Sequence, residues 1–547
     1  MAPDTVWMQR YTPWGGLWGS ALVAAVPLVL LLVWLGVFRA RAVRAALVAL
    51  VMAVGLAVGV YGMPARMAGM AVLYGGAFGL FPIGWVVLHA MFLYRVSLET
   101  GGFDDLQRRL AVILADRRIQ ALLVAFCFGA FVEGLAGFGA PVAVTGALMI
   151  GLGFRPLEAA KLALIGNTAP VAFGSVGIPI VTLSRVTGLD ELALGAMVGR
   201  QLPWVAMVVP FWLVGAQAGW RGLCEVWPAC AVSGGTFAVL QFVVSNYHGP
   251  WLVDIVAGLG SLCATLMWLR VWSPRRIEPV NGGRLREPAA PRLSTARAVL
   301  PWACFAVLVA VTTLGPVRSV LDAFVSFEWT VPGLHERVVR VLPAVAEAQP
   351  EPAIYRLNLL SASGTAVGLA AVLSGWALGL GPRRLFRLYV ETLLRVRASL
   401  ATIAVMLALA FVTRYSGSDT TLGLALAASG PWFPFFSPLL GWLGVALTGS
   451  DTSSNVLFGH LQKVTAEQLG LSPVMMAAAN SAGGVMGKMI DAQSIVVASV
   501  ATGGRPDSPD VGTVLRAVFL HSVGLALLVA VVVWVQARWF PGVVPGS

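Results

Sequence analysis

The chain has 547 residues, of which 58% are hydrophobic and only 11% are charged, and its mean hydropathy is +0.83. Soluble domains carry about a quarter charged residues, so this composition indicates an integral membrane protein. The net charge of +12 comes from arginines in short loops between apolar runs. That placement is typical of a cytoplasmic membrane face and argues against a nucleic-acid partner.

The N-terminal region predicts membrane spans that begin close to the first residue. The apolar runs long enough to cross a bilayer are residues 17–38, 43–61 and 70–94. No signal-peptide pattern precedes them, so the first run is interpreted as a retained span. Arg39, Arg41 and Arg44 follow that run, which predicts a cytoplasmic loop there and an external N-terminus. Residues 95–118 mix charged and apolar side chains and predict an amphipathic helix along the cytoplasmic interface.

An interrupted apolar segment follows at residues 122–153. Its middle, AGFGAP at 136–141, holds two glycines and a proline. Two arms of about 14 residues would each reach only about 21 Å, which is too short to cross the membrane. The segment therefore predicts a re-entrant hairpin that enters and leaves on the cytoplasmic side. Residues 157–183 then predict a span that is broken at 167–170, Asn-Thr-Ala-Pro.

A polar linker divides the rest of the chain near its midpoint. The spans predicted before it are residues 192–219, 226–245 and 251–272. The linker itself, residues 273–298, is rich in arginine, proline and glycine and is predicted to be cytoplasmic and flexible. It separates a first half, residues 1–272, from a second half, residues 299–547.

The second half predicts a similar series of elements. Residues 299–321, 357–380, 400–415 and 514–539 are predicted spans, 322–356 an external segment, and 418–429 a short amphipathic helix. Residues 438–470 predict a second hairpin, whose tip carries the polar run 448–455. Residues 474–500 predict a second broken span, interrupted around 480–484, Asn-Ser-Ala-Gly-Gly.

The two unusual regions match each other and predict an internal repeat. Each hairpin leads through a Gly-x-x-Pro turn into an alanine-rich helix that carries Asn followed by Thr or Ser and Ala. An odd number of predicted spans separates the copies, so the second copy is inverted. The predicted fold is all-α and membrane-integral, with about 12 transmembrane helices, two re-entrant hairpins and two broken helices.

Several strings in these regions resemble one known family. They read FCFGAFVEGLAGFGAPVA, NTAPVAFGSVGIPI, MVGRQLP, GWLGVALTGSDTSSN and AANSAGGVMGKMI. They are similar to the L-lactate permease family of bacterial proton-coupled transporters, from YTPWGG near the N-terminus to the last span. One departure is Asp491-Ala-Gln-Ser, where the family tends to read Ser-Pro-Gln-Ser, so the local charge differs.

The resemblance implies symport of protons with L-lactate, D-lactate, glycolate or related short 2-hydroxy monocarboxylates across the bacterial inner membrane. It also implies that hairpin tips and helix breaks hold the substrate, and that a mobile domain carries it past a fixed scaffold by alternating access. Sequence does not rank these substrates, because a methyl group changes binding by only about 1–3 kcal/mol. The oligomeric state also stays open.

Polar residues at the interruptions are the predicted substrate site. An anion is bound well at opened helix ends, where backbone N–H groups are unpaired and the helix dipole is positive. The predicted substrate-binding residues are Asn167, Thr168, Ser450, Thr452, Ser453, Asn455, Asn480, Ser481, Arg200 and Lys488. Ordinary helix caps are the alternative for the polar tip residues, and buried ion pairs are the alternative for the two cations. Lys488 has such a candidate partner in Asp491, one helical turn away.

Two acids in apolar surroundings are predicted to couple transport to protons. Glu133 lies on the first hairpin and Asp451 at the tip of the second. An apolar setting favours a neutral carboxyl, and a group that takes and releases a proton is what symport needs. The alternatives are a structural acid paired with a buried arginine for Glu133, and a helix cap for Asp451.

Other function classes have weaker sequence signals. The motifs GxSxG, HExxH and the P-loop are absent, so no enzyme activity is expected. The histidines lack metal-ligand spacing and the five cysteines include no CxxC pair, so no metal or cofactor is expected. A channel filter would be built from repeated rings, which this chain lacks. A sodium-coupled carboxylate transporter stays the main alternative, because the same Asn and Ser residues also suit a sodium site.

Overall fold

Helices make up most of the molecule, as the composition predicts. The computed structural model describes residues 6–36, 38, 40, 42–102, 116–135, 137, 139–278, 294–313, 315–344, 347–502 and 511–545. The helices of the first half are Gly16–Gly36, Ala42–Gly59, Ala65–Phe78, Gly79–Gly84, Trp85–Glu99, Arg117–Ala121, Leu122–Phe128, Gly129–Leu135, Ala140–Gly151, Pro156–Gly166, Val171–Phe173, Gly174–Thr187, Glu191–Gln201, Pro203–Tyr247 and Val253–Val271.

The second half is also helical, apart from one segment of short strands. Its helices are Thr295–Thr313, Gly315–Phe324, Ser363–Ala377, Pro382–Ser416, Ser418–Leu426, Ala427–Trp432, Phe433–Thr448, Asp451–Gln468, Pro473–Gly487, Ala492–Thr502, Val511–Trp539 and Pro541–Val543. Most of the predicted amphipathic helix at 95–118 and most of the predicted linker at 273–298 lie outside the described residues.

Several helices are long and apolar enough to cross a membrane. By length and hydropathy these are Ala65–Glu99, Arg117–Leu135, Pro203–Tyr247, Val253–Val271 and Gly512–Trp539. Two bent pairs, Pro156–Gly166 with Val171–Thr187 and Pro382–Ala398 with Leu400–Ser416, raise the number among the described residues from 5 to 7. Shorter apolar helices of 10–17 residues accompany them. The count of about 12 spans therefore stays a prediction.

One predicted span differs from the helices that form. The span at 192–219 is made of Glu191–Gln201 and the start of Pro203–Tyr247, which meet at Leu202. The chain then reverses at Gly219, whose φ of 67° and ψ of −173° suit only glycine. This turn lets Gly234 approach the backbone so closely that a Cβ there would lie 2.6 Å from the carbonyl oxygen of Met207.

The segment at 322–356, which is predicted to be external, contains short strands. Phe327–Thr330 pairs antiparallel with Ile354–Leu357, and Val338–Arg340 pairs with Gln349–Pro350. The N-terminal strand Trp7–Met8 adds to this sheet in parallel register with Val338 and Val339. The N-terminus and this segment therefore lie on the same side of the molecule, which the predicted topology requires.

The helices pack around two apolar cores. One core includes Phe126, Phe237 and Met476 and unites both hairpins with the helices next to them. The other includes Phe78 and Phe411 and unites the first helices of the chain with Ser363–Ala377 and Pro382–Ser416. The molecule therefore has two packed units, and the buried hairpin residues are shared between them: most belong to the first, and a smaller set that includes Phe131 and Phe458 belongs to the second.

Candidate functional site

The first hairpin is a pair of antiparallel helical arms. The first arm, Arg117–Leu135, has 19 residues and the second, Ala140–Gly151, has 12, so the first arm is longer than the predicted length of about 14 residues and is long enough to cross a membrane. Gly137 and Gly139 reverse the chain with φ values of 53° and 84°, which glycine adopts without strain. The arms face each other closely, because a Cβ on Gly129 would lie 3.4 Å from the Thr145 methyl group.

The second hairpin consists of Phe433–Thr448 and Asp451–Gln468. Gly449, with a φ of 76°, makes the turn, and the Ser450 hydroxyl caps the second arm by accepting from the backbone N–H of Ser453 at 3.3 Å. The Ser454 hydroxyl donates to the carbonyl of Gly441 across the hairpin at 3.0 Å. The N-terminal end of an 18-residue helix is therefore held at the tip.

The first broken helix opens at the predicted position. Pro156–Gly166 ends at Asn167, and Val171–Thr187 continues at an angle of 63° to it. The backbone at 175–177 is not helical, so regular helix resumes only after Gly177. Ser175 and Val176 have φ values of 45° and 64°, a left-handed conformation that is unusual for residues other than glycine. Such strained backbone concentrates at functional sites.

The second broken helix opens at a different position from the predicted one. Pro473–Gly487 is continuous through 480–484, and the break lies at 488–491. The Gly483–Gly484 pair serves close packing rather than a break. A Cβ on Gly483 would lie 1.9 Å from the Pro438 carbonyl, and one on Gly484 would lie 2.2 Å from Oδ1 of Asp451.

Each hairpin packs against the broken helix of the other half. Asn455 of the second hairpin donates to the carbonyl of Pro179 in the first broken helix at 3.2 Å. At the tip of the first hairpin, a Cβ on Gly139 would lie 3.6 Å from the side chain of Val497 in the second broken helix. The two halves are therefore joined at one place, where the hairpin of each half contacts the broken helix of the other.

A small cavity of about 60 Å³ lies at that centre, between the tips and the helix breaks. Its lining residues are Glu133, Gly137, Val171, Gly174, Ser175, Ile178, Pro179, Gly449, Ser450, Asp451, Thr452 and Lys488. Five of the predicted site residues meet there. A larger cavity of about 1170 Å³ lies elsewhere, but its lining is almost wholly apolar, so the charged chemistry belongs to the small one.

Glu133 is buried against the first helix break. A Cβ built on Gly174 would lie 2.6 Å from Oε1 of Glu133. The other carboxyl oxygen, Oε2, has no hydrogen-bond partner within the described residues. Asn167 lies beside this carboxyl, although neither atom of its amide makes a hydrogen bond of good geometry to any described residue. Lys488 is within electrostatic reach of Glu133.

Asp451 is held by residues from behind the cavity. The Ser481 hydroxyl donates to Oδ2 of Asp451 at 2.5 Å, and the Asn455 amide lies 3.4 Å from the same oxygen. Asn480 in turn donates to the Asn455 side chain at 2.9 Å. The residues that position Asp451 are therefore Asn455, Asn480 and Ser481. They were predicted to bind the substrate directly, but they do not line the cavity.

Lys488 connects the second helix break to the second tip. Its ammonium group donates to the Gly449 carbonyl at 2.6 Å and lies 3.5 Å from Oδ2 of Asp491. Asp491 also caps the following helix by accepting from the backbone N–H of Ser494 at 2.8 Å. The ion pair that was the alternative for Lys488 therefore forms, and Lys488 lines the cavity as well.

Comparison with known proteins agrees with the resemblance in the motifs. The family model for L-lactate permease matches residues 20–540. This chain belongs to the L-lactate permease family. A glycolate permease of Escherichia coli (strain K12) is 44% identical over 562 residues, covering 98% of this chain and 99% of that protein. An L-lactate permease of Salmonella typhimurium is 43% identical over 552 residues, covering 99% of this chain and 100% of its own length.

A third organism contributes a similar relative. An L-lactate permease of Bacillus subtilis (strain 168) is 41% identical over 569 residues, covering 98% of this chain and all of its own length. Permeases are transporters rather than enzymes, and the apolar helices agree with a multi-pass membrane protein. The family resemblance stated from the motifs is therefore confirmed.

Three predicted site residues of the permease lie away from the cavity. Arg200 donates to the Asn246 side chain at 2.8 Å and to the carbonyl of Val543 at 2.5 Å, and it lines the large apolar cavity instead. Thr168 donates to the Ile165 carbonyl of its own helix at 2.8 Å. Ser453 supplies the capped backbone N–H and is absent from the lining.

Two functional candidates were missed by sequence reasoning. Ser175 lines the cavity, and its signal was the Gly174-Ser-Val-Gly177 string just before Pro179, which predicts an irregular turn. Asp254 is buried near Glu133, and it lacked a signal because it begins an otherwise ordinary apolar run. Among the described residues no cluster of three potential metal ligands occurs.

Proposed function

We propose that this permease transports L-lactate and related short 2-hydroxy monocarboxylates, such as D-lactate and glycolate, together with protons across the bacterial inner membrane. The observation that carries the proposal is the central cavity, where Lys488 meets two buried acids, Glu133 and Asp451. The names of the relatives, L-lactate and glycolate permeases, support the substrate class.

The substrate carboxylate binds between a cation and an open helix end. Lys488 supplies the positive charge, and the N-terminal end of the helix Asp451–Gln468 faces the cavity with its positive dipole. The hydroxyls of Ser175 and Thr452 are available for the substrate's 2-hydroxyl group, and the Ser450 hydroxyl, whose oxygen caps the helix, can still donate its proton. A cavity of about 60 Å³ suits only a small molecule.

Glu133 and Asp451 are the proton carriers in this proposal. Oε2 of Glu133 and Oδ1 of Asp451 have no hydrogen-bond partner among the described residues. Each acid therefore has one buried oxygen without a donor, and burying a charge that is only partly hydrogen-bonded is costly, so the neutral acids fit this state. When lactate arrives, it competes for Lys488 and thereby favours protonation of Glu133. Proton and anion binding are then coupled through the shared cation.

The two packed units supply the movement. We infer that the unit with both hairpins slides against the other, which holds the first helices of the chain, and exposes the cavity to each side in turn.

The proposal also includes a membrane topology. Both hairpins are re-entrant, the first from inside and the second from outside, and the N-terminus is external. Single cysteines test this topology in intact cells. Ser326→Cys should react with an impermeant maleimide and Ser294→Cys should not, and the reverse pattern refutes it.

The experiment for the function is uptake of labelled L-lactate into proteoliposomes, with pH and sodium gradients imposed separately. Wild type should accumulate lactate when the pH gradient alone is present. Glu133→Gln, which mimics the protonated acid, should keep lactate–lactate exchange and lose this accumulation. Glu328→Gln makes the same change on an exposed strand and is the control.

Each other result identifies a different mechanism. Accumulation that follows only the sodium gradient would replace the proton with sodium. Accumulation by Glu133→Gln equal to wild type would transfer the coupling role to Asp451. Absence of lactate and glycolate uptake by wild type would refute the transport proposal itself.

A further inference from the structure

A second small cavity contains two arginines that the mechanism above does not use. Its volume is about 40 Å³, compared with about 60 Å³ for the central cavity. Arg185 reaches it from the last turn of the helix Gly174–Thr187, and Arg318 from the helix Gly315–Phe324. The lining also includes one acid, Glu191. The described lining therefore has a net positive charge.

The positive groups of this cavity are incompletely paired. Nε of Arg185 is buried and has no hydrogen-bond partner among the described residues. Glu191 is within electrostatic reach of Arg185 and Arg318, but no salt bridge joins the three within the described part of the chain. A buried cationic donor without a partner is costly, and an anion would satisfy it. A planar guanidinium group is suited to a carboxylate, which can accept two parallel hydrogen bonds from it.

The other polar groups of the lining are held by their own hydrogen bonds. The Asn358 amide donates to the Ser361 hydroxyl at 2.7 Å, and Ser361 donates to Asp322. Asp322 also lies 3.3 Å from Arg356, so this acid is already paired outside the cavity. Trp251 is buried and supplies an apolar wall. The shape of the cavity is therefore fixed around the two arginines.

The cavity lies between the outer surface and the central cavity. Arg318 and Ser361 flank the segment 322–356, which is predicted to be external. On the inner side, Val181 lines this cavity, and Ile178, about one helical turn earlier, lines the central one. An anion that enters from outside therefore meets the arginines before it reaches the central cavity.

We propose that this cavity is an outer binding site for the substrate, a small monocarboxylate. The carboxylate accepts from the guanidinium groups of Arg185 and Arg318, and the positive field concentrates the anion at the outer end of the path. Because Glu191 neutralises part of the charge, the site binds weakly enough to release the substrate inward. The inference rests on the proposed transport function and adds a second site for the same class of substrate.

The test measures whether L-lactate protects a thiol in the wall of this cavity. Thr312→Cys places the thiol there. Cells kept cold are treated from outside with an impermeant maleimide at increasing L-lactate, and wild-type cells give the background reaction. Bound lactate fills the space beside the thiol, so alkylation should slow as lactate rises. Chloride at the same ionic strength should not slow it.

Three variants of the Thr312→Cys protein show which site gives the protection. Arg318→Gln should raise the lactate concentration for half-protection by about 10-fold or more, the scale of a hydrogen bond to a charged group. Lys488→Met weakens only the central site and should leave this concentration unchanged. Arg538→Gln removes an exposed arginine from the last turn of the helix Val511–Trp539, and as the matched control it should also leave the concentration unchanged.

Four results would overturn the outer site. They are a thiol that never reacts from outside, a thiol that lactate does not protect, equal protection by chloride, and equal shifts in Arg318→Gln and Lys488→Met, which would assign the protection to the central site. If Arg318→Gln yields no protein, Arg185→Gln is judged by the same measurement. Absence of lactate uptake by wild type in proteoliposomes, with protection intact, would instead refute the proposed transport and leave the outer site standing.

Discussion

Replacing Lys488 by methionine tests the cation at the centre of the site. Lys488 is 5% exposed, so its ammonium group meets a bound carboxylate with little water between them. Opposite charges about 4 Å apart attract by about 4 kcal/mol at an effective dielectric constant of 20. Measured hydrogen bonds to charged groups contribute less, about 1.5–3 kcal/mol. Because Asp491 lies 3.5 Å away and already neutralises part of the charge, we expect the lower range.

This range corresponds to a lactate Kd that is about 10- to 150-fold weaker in Lys488→Met than in wild type. The assay is equilibrium binding of labelled lactate to purified protein at one pH. Lys161→Met removes a lysine that donates to the Ala216 carbonyl, away from the cavity, and should bind as wild type does. Adding Asp491→Asn to Lys488→Met removes the acid left unpaired and should restore thermal stability without restoring affinity.

A Kd for Lys488→Met within about twofold of the wild-type value would refute this reasoning. That result would mean that the helix end at the second tip holds the anion without the lysine. Loss of binding in Lys161→Met as well would show that the assay reports folding rather than the site.

Two further predictions concern packing and stability. Gly174→Ala places a Cβ 2.6 Å from Oε1 of Glu133 and should abolish pH-driven uptake, whereas Gly69→Ala, where no atom lies within 4 Å, should not; equal uptake by both contradicts the placement of Glu133. Glu351→Gln should cost about 3 kcal/mol, because it leaves Arg414 buried without the acid 3.1 Å away, and it should lower the Tm in detergent. Burial raises the pKa of Glu351, but Arg414 and its neighbours hold it below the usual value, so the Tm difference should shrink below about pH 4; a constant difference contradicts the ion-pair explanation.

The sequence was informative wherever a helix break was encoded locally. The chain reverses at the first tip through Gly137 and Gly139, and glycine is the residue that adopts their backbone angles without strain. The first break begins at Asn167, which ends the preceding helix. Glu133, Asp451 and Lys488 could be selected because charged residues are rare in apolar runs. These three residues meet in the central cavity.

The errors arose where long-range packing decides the outcome. A Gly-Gly pair predicts a break, yet Gly483 and Gly484 lie in a continuous helix because the second hairpin approaches their backbone. Arg200 makes its contacts with Val543 near the end of the chain, which no local pattern indicates. Asp254 lies near Glu133 because Gly134 of another helix lets it approach. Contacts of this kind depend on the assembled fold.

The exchanged packing of the hairpins has a consequence for synthesis of the permease. The tip of the first hairpin reaches its partner Val497 only after about 360 further residues have been made. At about 5–20 residues per second, this takes roughly 20–70 s. During that interval the nascent chain carries a glycine-rich tip, one turn from the acid Glu133, with no partner for its second side. The central cavity is therefore among the last features to be completed. Until the chain is released from the ribosome, its unfinished site is exposed to the insertion machinery.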